Sequence, residues 1–277
     1  MFHTNTTPEY ITSDVMTGNV VHCFSTRRGG VSTGCLSSLN LGVHRGDDWN
    51  NVYENYRRLG AAVGFTPEQT VFTHQTHTDI VARVGAADRG WGLFREVEPE
   101  RDGICTNEPG VALVCFSADC TPILLHDPVR HAVAAVHAGW RGTALGIAVR
   151  CVEKMTRDFG TDPGDLQVAI GPCIGPCCFE TDRNVPEAMI AALGPEAEQF
   201  IRPALRQDMP GEDPCFAAKE KYFPDLKQLN TLWLRRVGVR VIDICCDCTR
   251  CQPYRFWSHR VTGQARGSQA AVIMLTV

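Results

Sequence analysis

Three side chains that can bind transition metals follow short apolar runs of this sequence: His77, Cys120 and His137. Two imidazoles and one thiolate suit zinc, and three protein ligands with one open position are typical of catalytic zinc sites. A zinc ion in such a site lowers the pKa of its bound water to about 7. Two alternatives stay open, because Cys120 could be a nucleophile with His137 as its base, or both could pack inside the protein.

Charged residues near these positions could bind an anion or transfer a proton. Arg27 lies in a glycine-rich turn and Arg141 lies near the start of a predicted helix, so either guanidinium could hold a phosphate through paired hydrogen bonds. Asp119 precedes Cys120 and could transfer protons or orient one of the histidines. Asp102 stands just before a predicted strand and is a candidate for substrate binding.

Alternating strands and helices must position these candidate residues. Short apolar runs bounded by turn residues predict buried strands on both sides of Cys120, and apolar residues at helical spacing after Gly142 predict a helix. Residues 1–20 are expected to be a poorly defined N-terminal segment. No repeat or linker divides the rest, so residues 21–277 are expected to form a single compact α+β domain with mixed β-sheets and flanking helices. The residues that predict the helix are Leu145, Val149, Val152 and Met155.

Composition is typical of globular proteins and excludes several classes of partner. The 277 residues are 44% hydrophobic and 21% charged, and the formal net charge is −4, which gives no reason to expect nucleic acid or an anionic membrane as partner. No apolar run reaches the length of about 18 residues that a membrane span needs, and the N-terminus has no apolar signal core. We therefore expect a cytoplasmic protein whose 14 cysteines are mostly thiols.

Cys248 and Cys251 form a CxxC pair, which is a weak metal signal because no second pair follows it in the sequence. Further cysteines lie in a loop rich in glycine and proline, but their spacing matches no familiar zinc pattern. Packed thiols are therefore the preferred interpretation, and structural zinc at the CxxC pair is the alternative. The cysteines of the loop are Cys173, Cys177 and Cys178.

Several motifs together resemble one family, and they extend from about Ser25 to the C-terminus. The chain is similar to the YfiH family, also called the polyphenol oxidase or laccase-domain family, of which some members are named peptidoglycan editing factor. The most specific motifs are SADC followed by HAGWRG. The others are STRRGGVS, SLNLG, QTH followed by Asp79, the pair Asp102-Gly103, GPCIGPCCFE, CTRC and, more loosely, WSHRVTGQARG.

The resemblance implies an activity and a ligand set. Members of the family are described as zinc-dependent purine nucleoside enzymes, which use inorganic phosphate for phosphorolysis of adenosine, inosine, guanosine and methylthioadenosine and also deaminate adenosine. The metal ligands of the family correspond to His77, Cys120 and His137, and all three are present. The YRRD that is common near the C-terminus of the family reads SHRVTG here, which puts any role of Arg260 in doubt.

Other functions remain open. A cytoplasmic cysteine hydrolase that edits peptidoglycan precursors would use Cys120 as its nucleophile. Older descriptions of the family name copper polyphenol oxidases, so copper is an alternative to zinc as cofactor. A multicopper oxidase needs a three-copper cluster rich in histidine, however, and the nine histidines of this chain are scattered without an HxH pair. A nucleoside- or metal-binding regulator without turnover is the non-enzymatic alternative.

Overall fold

The computed structural model describes residues 1–96, 99–204 and 220–277, and it has the predicted α+β class. Two six-stranded mixed sheets form its centre, flanked by six α-helices in the described part of the chain. A two-stranded ribbon completes the described sheets. None of the helices described is long and apolar enough to cross a membrane.

The first sheet contains both the first and the last strand of the chain. In spatial order its strands are β1 (Phe2–Thr6), β2 (Glu9–Ser13), β3 (Val20–Ser25), β14 (Gln269–Leu275), β7 (Ala112–Ser117) and β4 (Thr70–Phe72). Neighbouring strands are antiparallel except for β7 and β4, which are parallel. The last strand therefore lies in the middle of this sheet.

The second sheet is formed by strands from the middle of the chain. In spatial order they are β13 (Val241–Ile244), β10 (Gln167–Ile170), β8 (Thr121–Asp127), β9 (Ala132–Ala138), β6 (Gly103–Thr106) and β5 (Val81–Arg83). The pairs β13–β10 and β6–β5 are parallel, and the other neighbours are antiparallel. Because β7 of the first sheet is followed directly by β8 of the second, the short connection 118–120 joins the two sheets.

Helices cover outer faces of both sheets. The described helices are α1 (Trp49–Val63), α2 (Trp140–Ala144), α3 (Ile147–Phe159), α4 (Asn184–Leu193), α5 (Leu226–Arg236) and α6 (His259–Thr262), and the ribbon pairs β11 (Ile201–Pro203) with β12 (Tyr222–Pro224). Helix α1 buries Val52, Tyr56 and Leu59 in a cluster with the first sheet. Helix α3 buries Val152 and Met155 in a cluster with the second sheet. These buried residues recur at helical spacing, which is the pattern of a helix with one apolar face.

Between the two sheets lies a core made by alternate residues of their central strands. In β7, Leu113 and Cys115 belong to this core, whereas Ala112 and Val114 belong to the cluster that includes α1. This alternation follows from the two-residue period of side chains along a strand. The other strands contribute Ile104, Leu124, Val133, Ala135 and Ile273 to the core between the sheets.

The first 20 residues differ from the poorly defined N-terminal segment that the sequence predicted. Strands β1 and β2 form an antiparallel pair, and β2 continues onto β3 through the pairs Tyr10–Ser25 and Ile11–Phe24. Ile11 is 2% exposed and reaches the core between the sheets. Hydrogen bonds between strand backbones order this segment, although most of its side chains are polar. Because these bonds do not depend on the type of side chain, the amino-acid composition of the segment does not predict them.

The helix expected after Gly142 is present, but it is divided into α2 and α3. Gly146 adopts a φ of 76° between the two helices, a conformation that favours glycine. Val152 and Met155 are buried as expected. Leu145 lies in the connection and is 53% exposed, so it is not part of the apolar face that the spacing predicted.

His22, on β3, is a buried histidine that stabilises the fold only while it is neutral. Its Nε2 accepts the N–H of Ser13 at 2.8 Å. Burial, together with the neighbouring His126, lowers the pKa of His22 from 6.5 to about 4. Because the unfolded chain takes up this proton at higher pH than the folded chain, stability falls as the pH drops from about 6.5 through about 4, by up to about 3 kcal/mol.

We therefore expect His22→Gln to flatten the pH dependence of stability. The glutamine amide oxygen can replace Nε2 as acceptor for Ser13, and it does not titrate. The free energy of unfolding, measured by denaturant titration from about pH 7 to about pH 4, should fall less in the variant than in the wild type. His259→Gln, at an exposed histidine, is the control and should follow the wild type. Parallel curves for wild type and His22→Gln would contradict this assignment.

Candidate metal centre and active site

His77, Cys120 and His137 lie far apart in the sequence but meet at the junction of the two sheets. One ligand atom from each side chain lies within 4.8 Å of the other two, and the two imidazole ring centres are 5.0 Å apart. His137 is buried, Cys120 is half-buried and His77 is exposed, so the cluster is open on one side. Two imidazoles and a thiolate at this spacing fit zinc and would also accept copper.

Each ligand lies where a strand of the junction begins, ends or turns. His77 follows β4, Cys120 lies in the connection from β7 to β8, and His137 is near the end of β9. Two residues here have the left-handed backbone conformation, which is uncommon outside glycine: φ is 66° at His77 and 96° at Asp119. Such conformations concentrate at functional sites, where the surrounding structure holds them in place.

Gly139 leaves room for the ligands to approach each other. A Cβ atom at this position would lie 2.5 Å from His77 Nδ1 and 3.2 Å from Cys120 Sγ. Both distances are shorter than ordinary van der Waals contact, so a larger residue would push the two ligands apart. This physical requirement accounts for the glycine of the HAGW motif.

Asp102 is fully buried behind the two histidines. Its carboxylate accepts hydrogen bonds from the backbone N–H groups of Thr76, His77 and Thr78, and from the Thr78 hydroxyl. It also lies 2.7 Å from His137 Nδ1. This contact favours a proton on Nδ1 and leaves Nε2 as the atom that can bind a metal. Asp102 therefore orients His137 through its ring and His77 through its backbone. Because its oxygens are occupied by these contacts, the geometry does not support the role in substrate binding that the sequence proposed for Asp102.

Electrostatics at the cluster keep a proton that a metal ion must displace at neutral pH. Burial alone would lower the pKa of His137, but the neighbouring Cys120 and the carboxylate of Asp102 raise it to about 9. Although His77 as a whole residue is exposed, partial burial of its ring and the nearby His137 and Arg141 lower its pKa, while Asp102 acts in the opposite direction. Because a metal ligand must be unprotonated, metal binding would displace the proton from His137, and affinity would rise with pH through neutrality.

Arg141 is the one of the two proposed phosphate-binding arginines that lies beside the cluster. Its guanidinium lies 4.3 Å from the ring centre of Trp140, and its charge lowers the pKa of His77. It is exposed, and within the described part of the chain it has no hydrogen-bond or ion-pair partner. Its guanidinium donors are therefore free to bind an anion.

Arg27, the other arginine proposed to bind phosphate, is held by contacts within the protein. Its guanidinium donates to the carbonyl oxygens of Ser37 and Pro253 and lies 3.8 Å from the ring centre of Trp257. These contacts join the glycine-rich turn to a loop near the C-terminus. None of them connects Arg27 with the ligand cluster, so its geometry does not support the phosphate contact that the sequence proposed.

Asp119 holds the turn that carries Cys120. One carboxylate oxygen accepts the hydroxyl of Thr249 at 2.6 Å, and the other accepts the backbone N–H of Arg260 at 2.7 Å. Neither oxygen contacts a histidine, so the orienting role that the sequence allowed for Asp119 belongs to Asp102 instead. Arg260 takes part through its backbone, whereas its guanidinium donates to the carbonyl of Glu180.

Arg266 is a candidate site residue that the sequence did not indicate. It is 8% exposed, and its Nε has no partner among the described residues. Burial and the nearby Arg45 lower its pKa to about 10, while Asp119 and Cys120 act in the opposite direction, which places a buried positive charge near the cysteine ligand. Arg266 lies in the WSHRVTGQARG motif, which could have indicated a functional arginine. The motif also contains Arg260, however, and it does not show which of the two lies near Cys120.

A cavity of about 840 Å³ is lined by residues of the segments that lead to His77 and Cys120, whereas none of the three ligands lines it. Gln75, two residues before His77, lines it, and so does Ser268, whose hydroxyl accepts hydrogen bonds from Arg45 and Arg266. Apolar aromatic walls with a few polar groups are typical of sites for small organic ligands. The aromatic residues that line this cavity are Trp49, Phe72, Phe94 and Phe116.

The fold is shared with solved bacterial structures. The YfiH protein of Bacillus licheniformis superimposes with a TM-score of 0.84 at 31% identity, and the match covers 93% of each chain. The YlmD protein of Geobacillus stearothermophilus gives a TM-score of 0.83 at 34% identity, with 97% of this chain and 96% of that chain covered. Fold and site together define a YfiH-like α+β protein.

The family follows from the sequence match. Residues 21–276 match the family described as multi-copper polyphenol oxidoreductase laccase, and the chain belongs to this family. The resemblance to YfiH proteins that the motifs indicated is thereby confirmed.

Similar proteins in the family carry a different description. Purine nucleoside phosphorylase YlmD of Geobacillus stearothermophilus is 38% identical over 253 residues, which cover 90% of this chain and 88% of that protein. Purine nucleoside phosphorylase YfiH of Escherichia coli is 33% identical over 257 residues, covering 92% and 94%. Human purine nucleoside phosphorylase LACC1 is 33% identical over 274 residues, which cover 96% of this chain but 58% of the human protein. The chain thus spans little more than half of the human relative.

Asp102→Asn is expected to weaken zinc binding by roughly 10- to 100-fold, the usual effect of losing a group that orients a ligand. An asparagine amide would present N–H groups to neighbours that are themselves donors, so His137 would lose its orientation. Competition with a chelator of known zinc affinity measures the change.

The matched control is Asp79→Asn in the same loop. Asp79 pairs with Arg150 at the surface, where Nε and the carboxylate are 3.4 Å apart, and it should bind zinc as the wild type does. Wild-type zinc affinity in folded Asp102→Asn would remove Asp102 from the orienting role.

Proposed function

We propose that this protein is a zinc-dependent purine nucleoside phosphorylase. Its substrates are inorganic phosphate and adenosine, inosine, guanosine or methylthioadenosine, and it also deaminates adenosine. The observation that carries the proposal is the convergence of His77, Cys120 and His137 in one cluster. A cavity large enough for a nucleoside is lined by residues of the segments that lead to His77 and Cys120. The relatives named purine nucleoside phosphorylase, at 33% to 38% identity, support the same activity.

Two arginines near the metal ligands bind the phosphate. In phosphorolysis, a phosphate oxygen forms a bond to C1′ of the ribose while the bond from C1′ to the purine nitrogen breaks. Arg141 offers free donors at the surface of the site, and Arg266 offers an unpartnered Nε inside it. Guanidinium groups bind phosphate through charge-assisted hydrogen bonds and hold it in one orientation, which favours the attack.

The nucleoside occupies the aromatic cavity. Trp49, Phe94 and Phe116 offer apolar faces for a purine ring. Gln75 lines the same cavity, and its amide is held by hydrogen bonds with the Thr73 hydroxyl and the backbone of Phe116. Zinc, when bound by His77, Cys120 and His137, supplies a Lewis acid that can activate water for deamination. The carboxylate of Asp102 keeps the imidazole of His137 in the orientation that this requires.

A cysteine hydrolase that edits peptidoglycan precursors is the second candidate, and one feature of the site favours it. Asp102, His137 and Cys120 stand in the order of orienting acid, base and nucleophile, with 2.7 Å between Asp102 and His137 Nδ1 and a contact from His137 to the thiol. His77 distinguishes the two functions, because a third ligand has a purpose in a metal site and none in a hydrolytic triad.

The laccase in the family description has less support. Within the described residues, two groups of side chains could hold a metal; one contains two histidines and the other contains none, which is too few for a cluster of three copper ions. A multicopper oxidase needs histidine-rich copper sites, including one for three ions. We therefore propose nucleoside chemistry for this chain in preference to phenol oxidation.

Cys120→Ala is expected to lose the bound zinc of the active centre together with both activities, because the remaining two ligands hold zinc too weakly. Zinc analysis of the purified protein, with adenosine turnover measured with and without phosphate, tests this. The exposed Cys35→Ala is the control and should retain both activities. Wild-type hydrolysis of a peptidoglycan precursor that survives a chelator and is stopped by alkylation of Cys120 would favour the hydrolase instead.

Arg141→Ala is expected to keep its zinc and to raise the KM for phosphate by roughly 10-fold or more, the effect of losing a hydrogen bond to a charged group. Steady-state phosphorolysis at varied phosphate concentration measures this. Arg157→Ala removes an exposed arginine of α3 and is the matched control. An unchanged dependence on phosphate would exclude Arg141 from phosphate binding.

A further inference from the structure

Four cysteines outside the active centre converge from two loops. Cys177 and Cys178 belong to the glycine- and proline-rich loop between β10 and α4, whereas Cys248 and Cys251 follow β13. The four sulfur atoms lie within 4.8 Å of one another, with 3.6 Å from Cys177 to Cys251 and 3.4 Å from Cys178 to Cys251. The CxxC pair therefore has two partners that its spacing in the sequence does not reveal.

The sulfur spacing is that of a tetrahedral metal site. Zinc binds thiolates at about 2.3 Å, so the sulfur atoms around it are about 3.8 Å apart. A disulfide would require a separation of about 2.05 Å, and the cysteines of the described residues are all free thiols; Cys215 lies outside the described residues. Separately packed thiols have no reason to direct four sulfur atoms at a common centre.

We propose that Cys177, Cys178, Cys248 and Cys251 bind one zinc ion in a structural site. Four protein ligands leave no open position, which is the arrangement of structural zinc and not of catalytic zinc. Cys177 and Cys251 are exposed, so the ion can reach the site, and the other two ligands are buried. The site is separate from the cluster of two histidines and one cysteine, and the proposal does not depend on the function proposed above.

The groups around these sulfur atoms suit thiolates. The backbone N–H of Gly175 donates to Cys248 Sγ at 3.2 Å. A Cβ atom on Gly175 would lie 3.2 Å from Cys177 Sγ, so a glycine lets the loop approach the cluster closely. The side chain of Arg250 lies beside Cys178 and offsets part of the negative charge that four thiolates retain around a zinc ion.

The proposed ion would fix both loops that position Asp119. The Thr249 hydroxyl donates to Asp119 Oδ1, and the Thr249 N–H donates to the carbonyl of Cys173. From the other loop, the N–H of Ile174 donates to the carbonyl of Asp119 at 2.9 Å. Because Asp119 precedes Cys120, an ion that clamps the two loops also steadies the turn that carries the cysteine of the active centre.

Metal analysis of the full-length protein, purified under reducing conditions, tests the proposal. Wild type saturated with zinc and then freed of loosely bound ions should retain about two zinc ions per chain, and Cys120→Ala about one. Cys248→Ser combined with Cys251→Ser should lose the other ion. Cys246→Ser, at an exposed cysteine of the same loop, is the matched control and should retain the wild-type content.

Cobalt substitution of Cys120→Ala provides a second measurement that does not require the double variant to fold. Only the proposed site remains in this protein, so the bound cobalt should show the strong thiolate charge-transfer absorption of tetrahedral sulfur coordination. Absence of this absorption would overturn the proposal. So would an undiminished zinc content after removal of Cys248 and Cys251, or an intact mass that shows a disulfide among the four cysteines in place of bound metal.

Discussion

The buried carboxylate of Asp102 is the interaction on which the cluster of His77, Cys120 and His137 depends. Burying a carboxylate is unfavourable unless hydrogen bonds replace its water, and here the donors come from the backbone of Thr76 to Thr78, the Thr78 hydroxyl and the ring of His137. Although burial alone would raise its pKa, these bonds lower the pKa of Asp102 to about 2. The bonds that make the burial tolerable therefore also fix His77 and His137, two of the three proposed metal ligands, relative to each other.

The junction of the two sheets explains why the ligands come from distant parts of the chain. His77 follows an edge strand of the first sheet, His137 lies in a central strand of the second, and Cys120 lies in the connection between them. Neither sheet alone carries the full ligand set. The tightly packed core between the sheets holds the ligands at their spacing, because close-packed interiors transmit small displacements and resist them.

The sequence predicted the features that depend on local pattern and missed those that depend on spatial pairing. Apolar runs predicted the strands around Cys120, and the motifs indicated the three ligands. The role of Asp102 could not be predicted, because it depends on the register that sets β6 beside β9. Arg266 was missed for the same reason, since a buried arginine looks like an exposed one in a sequence. Similarly, the CxxC pair showed half of a four-cysteine cluster whose other half lies in a distant loop.

Ordering loops costs conformational entropy of about 1–2 kcal/mol per residue, and this cost would weaken metal binding if the ion had to order them. In this protein, hydrogen bonds order the ligand loops beforehand: Asp102 fixes the histidines, and Asp119 fixes the turn of Cys120. The loops that hold Asp119 are the two that the cysteine cluster joins. A change that loosens either loop would therefore weaken the hydrogen bonds that hold Asp119, and through Asp119 the turn of Cys120, without altering His77, Cys120 or His137.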